Sequence, residues 1–148
     1  MSGFRDQILS EARSWIGTPY VHQSSVKGAG TDCLGLLRGV WRAHYGEEPE
    51  KVPPYTLDWS EVRQDEQLWS AAQRHLVAKP LRSEAPGDVL LFRMRAGAVA
   101  KHLGIVGRTG SDASFIHAYS RFGVMESALS RPWRRRVVAR FEFPEEAR

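Results

Sequence analysis

The stretch GAGTDCLGLLRGVW, residues 28–41, joins a glycine-rich loop to an amphipathic segment. Four hydrophobic side chains recur at the spacing of one helix face: Leu36, Leu37, Val40 and Trp41. Asp32 is a favourable N-cap, because a carboxylate accepts hydrogen bonds from the free N–H groups of a first turn. Gly46 is a typical stop. We therefore predict a helix from about Cys33 to Tyr45.

Cys33 is the only cysteine of the chain and stands at the start of this helix. A single cysteine excludes an internal disulfide and a structural zinc site built from several cysteines. Most free cysteines are small buried hydrophobes. A helix N-terminus, however, stabilises a thiolate through its free N–H groups and dipole. A nucleophile at this position would also need a histidine to take its proton.

The N-terminal segment has the same helical spacing. Five hydrophobic side chains follow it: Phe4, Ile8, Ala12, Trp15 and Ile16. We predict a helix that Ser2 caps and that Gly17 and Pro19 end. A third helix is predicted over Ser60–Val77, closed by Pro80.

The second half of the chain changes to strand patterns separated by Gly, Ser and Asp turns. The strand candidates are GDVLLFR, AKHLGIVG, ASFIHAYS, GVMES and RRVVARFEF, between residues 87 and 143. Helices followed by strands predict an α+β fold in which N-terminal helices pack on a C-terminal antiparallel sheet. The length of 148 residues predicts a single domain over residues 1–148.

Histidines on two consecutive strand candidates supply a possible base for the thiol. A turn centred between Thr109 and Gly110 places His102 directly opposite His117, with Cβ atoms about 4.5–5.5 Å apart. One histidine would then take the proton of Cys33, and the other would orient its ring. A purely structural histidine pair is the alternative interpretation.

A cysteine nucleophile that attacks a carbonyl also needs hydrogen-bond donors for the oxyanion of the tetrahedral intermediate. The backbone N–H of Cys33, at a helix start, is the first candidate. The hydroxyl of Tyr20, in the preceding loop, is a second. We group Asp32 with these two as the predicted oxyanion and substrate-binding residues.

The sequence gives weaker indications of a catalytic role for the three remaining histidines. His22 lies in the loop before Cys33 and could approach the site. His44 and His75 fall inside predicted helices, so we expect them to serve packing or solvent faces.

The composition limits the classes of partner. The net charge of +4 permits an anionic partner but does not demand one, so nucleic-acid binding is not favoured. The run Arg134–Arg136 is interpreted as a solvated stretch. No segment approaches the roughly 20 apolar residues of a membrane helix, and the N-terminus lacks the apolar region of a secretory signal. We therefore expect synthesis in the cytoplasm without membrane insertion.

Five motifs in this order resemble those of the NlpC/P60 family of cell-wall cysteine peptidases, from about Ile8 to Phe141. They are GTPY (17–20), GTDCLGL (30–36), PGDVLLF (86–92), KHLGIV (101–106) and FIHAY (115–119). Leu34 departs from the pattern, since many members have serine there. The loop 21–28 also lacks the usual glycine pair.

The resemblance implies a papain-like α+β fold and hydrolysis of amide bonds in peptidoglycan stem peptides. It implies that Cys33 is the nucleophile, His102 the base and His117 the orienting third residue. It places Tyr20 near the oxyanion site and implies neither a metal nor another cofactor.

More narrowly, the chain resembles the branch found in phage tail modules and gene transfer agents. We therefore expect a protein carried in a phage-like particle, bound to tail-tip or baseplate proteins, that acts in the periplasm of the target cell. Release during host lysis is a second possible route. Two competing interpretations of the activity are a non-catalytic tail component with a degenerate peptidase fold and a thiol acyltransferase.

Overall fold

A computed structural model of the protein describes residues 3–50 and 67–145. Four helices lie in these ranges: α1 (Phe4–Ser14), α2 (Cys33–Tyr45), α3 (Gln67–His75) and α4 (Arg131–Arg134). The strands are β1 (Ser25–Val26), β2 (Gly30–Thr31), β3 (Val77–Lys79), β4 (Val89–Phe92), β5 (His102–Val106), β6 (Ser114–Tyr119), β7 (Gly123–Ala128) and β8 (Val137–Glu142). The fold is α+β, as predicted from the order of the elements.

The main sheet is antiparallel, with the strand order β3-β8-β4-β5-β6-β7. β1 and β2 form a separate antiparallel pair in the loop before α2. All five strand candidates of the sequence become β4 to β8. β3 was missed, because three residues are too few to show a strand period.

One face of the sheet packs on the helices. Side chains of β5 and β6 such as Ile105 and Ile116 are buried with Leu36 of α2 in this larger core. The helices approach closely, since a Cβ on Gly39 would lie 2.0 Å from the ring of Trp15. The opposite face of the sheet carries a smaller apolar cluster, which includes Leu90, Phe92, Phe115 and Leu129, with Trp133 of α4 against it.

α2 has the bounds that the sequence predicts. The side chain of Asp32 caps its N-terminus, and Gly46 follows its last residue with φ of 97°, a conformation that favours glycine. Most of the signals that define this helix lie within a few residues of it, which explains the agreement.

The other two helix predictions need correction. Gly3, not Ser2, is the N-cap residue of α1, and Ser2 lies outside the described residues. Ile16 is 46% exposed because α1 ends at Ser14, before the helical spacing would bury it. Of the predicted helix 60–77, residues 60–66 lie outside the described part. The helix then ends at His75, and Val77 pairs with β8 instead.

The β5–β6 register also differs from the prediction. Ile105 pairs with Ile116 and Val106 with Phe115, which is a shift of two residues from a direct His102–His117 pair. The cause is the connection, which contains a 3₁₀ turn over Gly110–Asp112 rather than a tight two-residue turn. A shift of two leaves every side chain on its predicted face, so both histidines still point to the same side of the sheet.

Across the described residues, the helices are too short or too polar to span a bilayer.

Candidate active site

The N-terminus of α2 is fixed by the buried side chain of Asp32, which is 3% exposed. Its Oδ1 accepts the N–H of Gly35 at 2.7 Å, and its Oδ2 accepts the N–H of Gln23 at 2.7 Å. The loop and the first turn are closely packed, since a Cβ on Gly35 would lie 1.9 Å from the carbonyl oxygen of Ser24. One carboxylate therefore locks the loop onto the helix start that carries Cys33.

Asp32 was also predicted among the oxyanion and substrate-binding residues. Both of its oxygens are engaged by backbone N–H groups, and its negative charge raises the pKa of the neighbouring Cys33 and Tyr20. A group that opposes negative charge does not stabilise an oxyanion. The arrangement favours a positioning role for Asp32 over the predicted oxyanion contact.

Cys33 is partly buried, and its Sγ donates a hydrogen bond to the carbonyl oxygen of Lys101 at 3.6 Å. Burial raises the pKa of the thiol to about 12, and the charge of Asp32 adds to the shift. The backbone N–H groups of Leu103, Leu34 and Cys33 itself act in the opposite direction. The thiol is therefore neutral at rest.

The thiol contacts the strand residues on either side of His102, but its hydrogen bond goes to a carbonyl and not to the imidazole. The expected Cys33–His102 hydrogen bond is not formed in this resting arrangement. The carbonyl of Lys101, the residue before His102, accepts the thiol hydrogen instead. Catalytic hydrogen bonds of this kind often tighten only when substrate binds.

His102 and His117 are in direct contact. Nε2 of His102 lies 2.9 Å from Nδ1 of His117, and the rings meet edge to face with centroids 5.1 Å apart. This confirms that the two imidazoles hydrogen-bond, although the strands pair two residues away from the expected register. Nε2 of His117 in turn lies 2.8 Å from Oγ of Ser127 on β7.

Aromatic side chains surround the two histidines. The ring of Trp133 stacks on His102 with centroids 5.7 Å apart and meets His117 edge to face at 5.2 Å. Other ring contacts come from Phe92, Phe115 and Tyr119. His102 is 8% exposed and His117 is fully buried.

Burial lowers the pKa of both histidines, to about 3 for His102 and about 4 for His117. The positive charge of a protonated His117 adds to the shift at His102. At neutral pH the resting site therefore holds a thiol and two neutral imidazoles, with no ion pair between Cys33 and His102.

Tyr20 lies close to Cys33 and Asp32. It forms an isolated bridge with Thr31, directly before Asp32. Burial raises the pKa of its hydroxyl to about 12, and the negative charges of Asp32 and of Cys33 in its thiolate form oppose ionisation further. The hydroxyl therefore stays protonated and is a hydrogen-bond donor at neutral pH.

The remaining histidines occupy different positions. Nδ1 of His22 lies 3.8 Å from Oδ2 of Asp32, so His22 does approach the site. His44 packs against the rings of Phe4 and Tyr45. His75 ends α3, far along the chain from the site, and its Nε2 lies 3.0 Å from Glu50.

A groove open to solvent runs between α2 and α3. Leu34 and Leu103, each next to a predicted catalytic residue, are part of its lining. A substrate group that entered here would meet an apolar side chain at position 34, where the resemblance expects serine.

Sequence reasoning missed Ser127 and Trp133. Ser127 pairs with Phe115 in the β6–β7 hairpin, and only this register brings it beside His117. Trp133 belongs to the short helix α4 and directly precedes the run Arg134–Arg136, which was interpreted as a solvated stretch. Arg134 and Arg135 are indeed exposed, but Arg136 lies over the Trp133 ring at 5.4 Å.

Within residues 3–50 and 67–145, no group of three or more His, Cys, Asp or Glu side chains is arranged to hold a metal ion.

A cysteine at a helix N-terminus, packed on an antiparallel sheet that carries two hydrogen-bonded histidines, fits the papain-like α+β fold that the resemblance implies. The particular fold is that of NlpC/P60 domains. The structure is similar to the NlpC/p60 domain of the peptidoglycan hydrolase SagA, with a TM-score of 0.65, 21% identity, and coverage of 95% of this chain and 100% of that one. It is also similar to an NlpC/P60 family protein from Bacillus cereus, with a TM-score of 0.65, 16% identity, and coverage of 97% and 41%.

Proteins similar in sequence agree with the fold. One is the murein DD-endopeptidase MepS/murein LD-carboxypeptidase of Escherichia coli K12, 29% identical over 133 residues. That alignment covers 89% of this chain, which spans 59% of the length of the relative. Another is the probable endopeptidase NlpC of the same organism, 27% identical over 87% of this chain and 68% of that protein. No protein-family model matches the chain. The chain is thus similar in sequence to these endopeptidases and similar in fold to NlpC/P60 domains.

Proposed function

We propose that this domain is a cysteine endopeptidase that hydrolyses amide bonds in peptidoglycan stem peptides. The observation that carries the proposal is the hydrogen-bonded His102–His117 pair, together with a thiol at the N-terminus of α2 that bonds the carbonyl of Lys101, the residue before His102. The murein endopeptidase that the chain resembles supports the substrate class. The activity and substrate of the relative are transferred here as a proposal, because the chain spans 59% of it.

The attack on the amide begins with the neutral resting site. Nε2 of His102 is engaged with His117, which leaves its Nδ1 to take the proton from Sγ of Cys33. Because burial holds thiol and imidazole neutral, the proton moves as Sγ bonds to the substrate carbonyl carbon, and not before substrate arrives. His117 orients the His102 ring and supports the imidazolium as it forms.

The negative charge of the tetrahedral intermediate collects on the former carbonyl oxygen. The backbone N–H of Cys33 and the hydroxyl of Tyr20 are the donors that we propose for this oxyanion. His102 then returns its proton to the leaving amine, and a thioester to Cys33 remains. Water, deprotonated by His102, attacks the thioester, and the free thiol and the new carboxylate are released.

Digestion of purified peptidoglycan, with products identified by mass spectrometry, tests this function. We expect the wild-type protein to release stem-peptide fragments with one new amine and one new carboxyl terminus. Cys33→Ala should release none, whereas the matched control His44→Gln should cleave like the wild type. His44 packs against the rings of Phe4 and Tyr45.

Two different outcomes would replace the proposal. A wild-type protein that binds peptidoglycan but cleaves nothing would favour a non-catalytic binding component. Transfer of the acyl group to an added amine in preference to water would indicate a thiol acyltransferase.

We further propose that the protein is carried in a phage-like tail or gene transfer agent particle and acts in the periplasm of the target cell. Support for this setting comes from the order of the sequence motifs and from the residues within them. Tail-tip or baseplate proteins would be its partners. Proteomic analysis of purified particles is the test, and absence of the chain from assembled particles would contradict the proposal.

A further inference from the structure

A continuous line of hydrogen bonds extends beyond the two histidines to β7. Nε2 of His102 meets Nδ1 of His117 at 2.9 Å, and Nε2 of His117 meets Oγ of Ser127 at 2.8 Å. Ser127 reaches this position because it pairs with Phe115, two residues before His117 on β6. The hydroxyl therefore lies on the same face of the sheet as both imidazoles.

A neutral imidazole carries one proton, so it donates through one nitrogen and accepts through the other. Each contact in this line contains a single hydrogen, and the direction of one bond fixes the direction of the next. Two arrangements are possible. They differ in whether Nδ1 of His102, the nitrogen that is not bonded to His117, carries a proton.

In the first arrangement, His117 donates its Nε2–H to Ser127. Nδ1 of His117 is then an acceptor, and it receives the Nε2–H of His102. Nδ1 of His102 is unprotonated, as a base for Cys33 must be.

In the second arrangement, Ser127 donates its hydroxyl hydrogen to His117. Nδ1–H of His117 then donates to Nε2 of His102, and the His102 proton stands on Nδ1. A histidine in this tautomer has no lone pair for the thiol proton, so this arrangement is inactive.

We propose that Ser127 is a positioning residue that accepts the Nε2–H of His117 and thereby keeps His102 in the tautomer whose Nδ1 takes the thiol proton. The inference rests on the proposed function, in which His102 is the base. Ser127 is only partly buried, so its hydroxyl hydrogen can turn towards solvent while its oxygen accepts the Nε2–H of His117. Trp133 packs against both imidazoles, beside the His102–His117 hydrogen bond.

Nuclear magnetic resonance of the full chain with ¹⁵N-labelled histidine tests the tautomers directly. At neutral pH we expect both His102 and His117 to carry their proton on Nε2, with Nδ1 unprotonated. In Ser127→Ala the outer acceptor is lost, so the nitrogen shifts of both rings should move towards a mixture of tautomers. Ser127→Thr retains a hydroxyl and should restore the wild-type shifts.

Peptidoglycan cleavage by the same variants provides the functional measurement. We expect Ser127→Ala to lower kcat/KM by about 3- to 10-fold, the effect of losing one neutral hydrogen bond. Ser127→Thr should recover most of the rate. The matched control Ser130→Ala, an exposed serine whose side chain does not cap α4, should change neither the rate nor the tautomers.

The proposal is overturned if His102 of the wild type carries its proton on Nδ1. It is equally overturned if Ser127→Ala leaves the tautomers unchanged, or changes them without any effect on kcat/KM. If the wild-type protein does not cleave peptidoglycan, the proposed function fails, and the resonance measurement still decides the tautomers independently.

Discussion

Acid should destabilise this protein between pH 7 and pH 5 through its two buried histidines. In the folded state burial lowers their pKa values to about 3 and about 4, whereas an unfolded histidine has its ordinary value of 6.5. The unfolded state therefore binds more protons in this range, and the free energy of unfolding falls as the pH falls.

The size of the effect follows from these values. At pH 5 the pH lies 1.5 units below the pKa of 6.5 of an unfolded histidine. Each unit corresponds to about 1.4 kcal/mol of unfolding free energy. Each buried histidine should therefore lower the free energy of unfolding by about 2 kcal/mol at pH 5, and the pair should lower it by about 4 kcal/mol. This is a large part of the roughly 5–15 kcal/mol that stabilises a typical domain.

The chosen range separates this effect from that of the carboxylates. Ion pairs and hydrogen bonds with arginine hold the pKa of Glu126, Glu48 and Glu50 below the usual glutamate value of 4.5. The stability that these groups contribute is fully present above pH 4.5 and is lost only at lower pH. Their titration therefore adds little between pH 7 and pH 5.

Urea denaturation at pH 7 and pH 5 measures the change. The wild type should lose about 4 kcal/mol of unfolding free energy, and His117→Gln should lose about half as much. The control His44→Gln keeps both buried histidines and should show the full loss. An equal loss in wild type and His117→Gln would refute the reasoning.

Three further predictions concern the thiol, the oxyanion donor and the loop. Alkylation of Cys33 by iodoacetamide should be slow at pH 7 and rise steadily to above pH 9, because burial raises the thiol pKa to about 12; an inflection below pH 7 would contradict this. Tyr20→Phe should lower kcat by about 100-fold with little change in KM, and an unchanged kcat would remove Tyr20 from the oxyanion site. Gly35→Ala should lower the unfolding free energy in urea by about 3 kcal/mol or more, because its Cβ would lie 1.9 Å from Ser24 O. In the control Gly3→Ala the new Cβ has no atom within 4 Å. An equal loss of unfolding free energy in the two variants would refute the predicted clash at Gly35.

The parts of the fold predicted correctly are those with local signals. α2 is the clearest case, since its cap at Asp32, its apolar face and its stop at Gly46 are all encoded within or next to the helix. The strands β4 to β8 were also located from their own composition. Such features need no knowledge of the distant chain.

The errors arise where a distant segment decides the outcome. The 3₁₀ turn at Gly110–Asp112 shifts the register of β5 and β6 by two residues. Ser127 and Trp133 reach the histidines only through the β6–β7 pairing and the packing of α4. The thiol also bonds the carbonyl of Lys101 rather than His102, and this contact depends on how α2 packs against β5. None of these has a signature in the sequence near Cys33.

The central claim is that Cys33 hydrolyses peptidoglycan amides with His102 as its base. Mass spectrometry of peptidoglycan digested by the wild type, Cys33→Ala and His102→Gln tests it most directly. The account predicts stem-peptide fragments from the wild type and none from either variant. Equal cleavage by Cys33→Ala would contradict it.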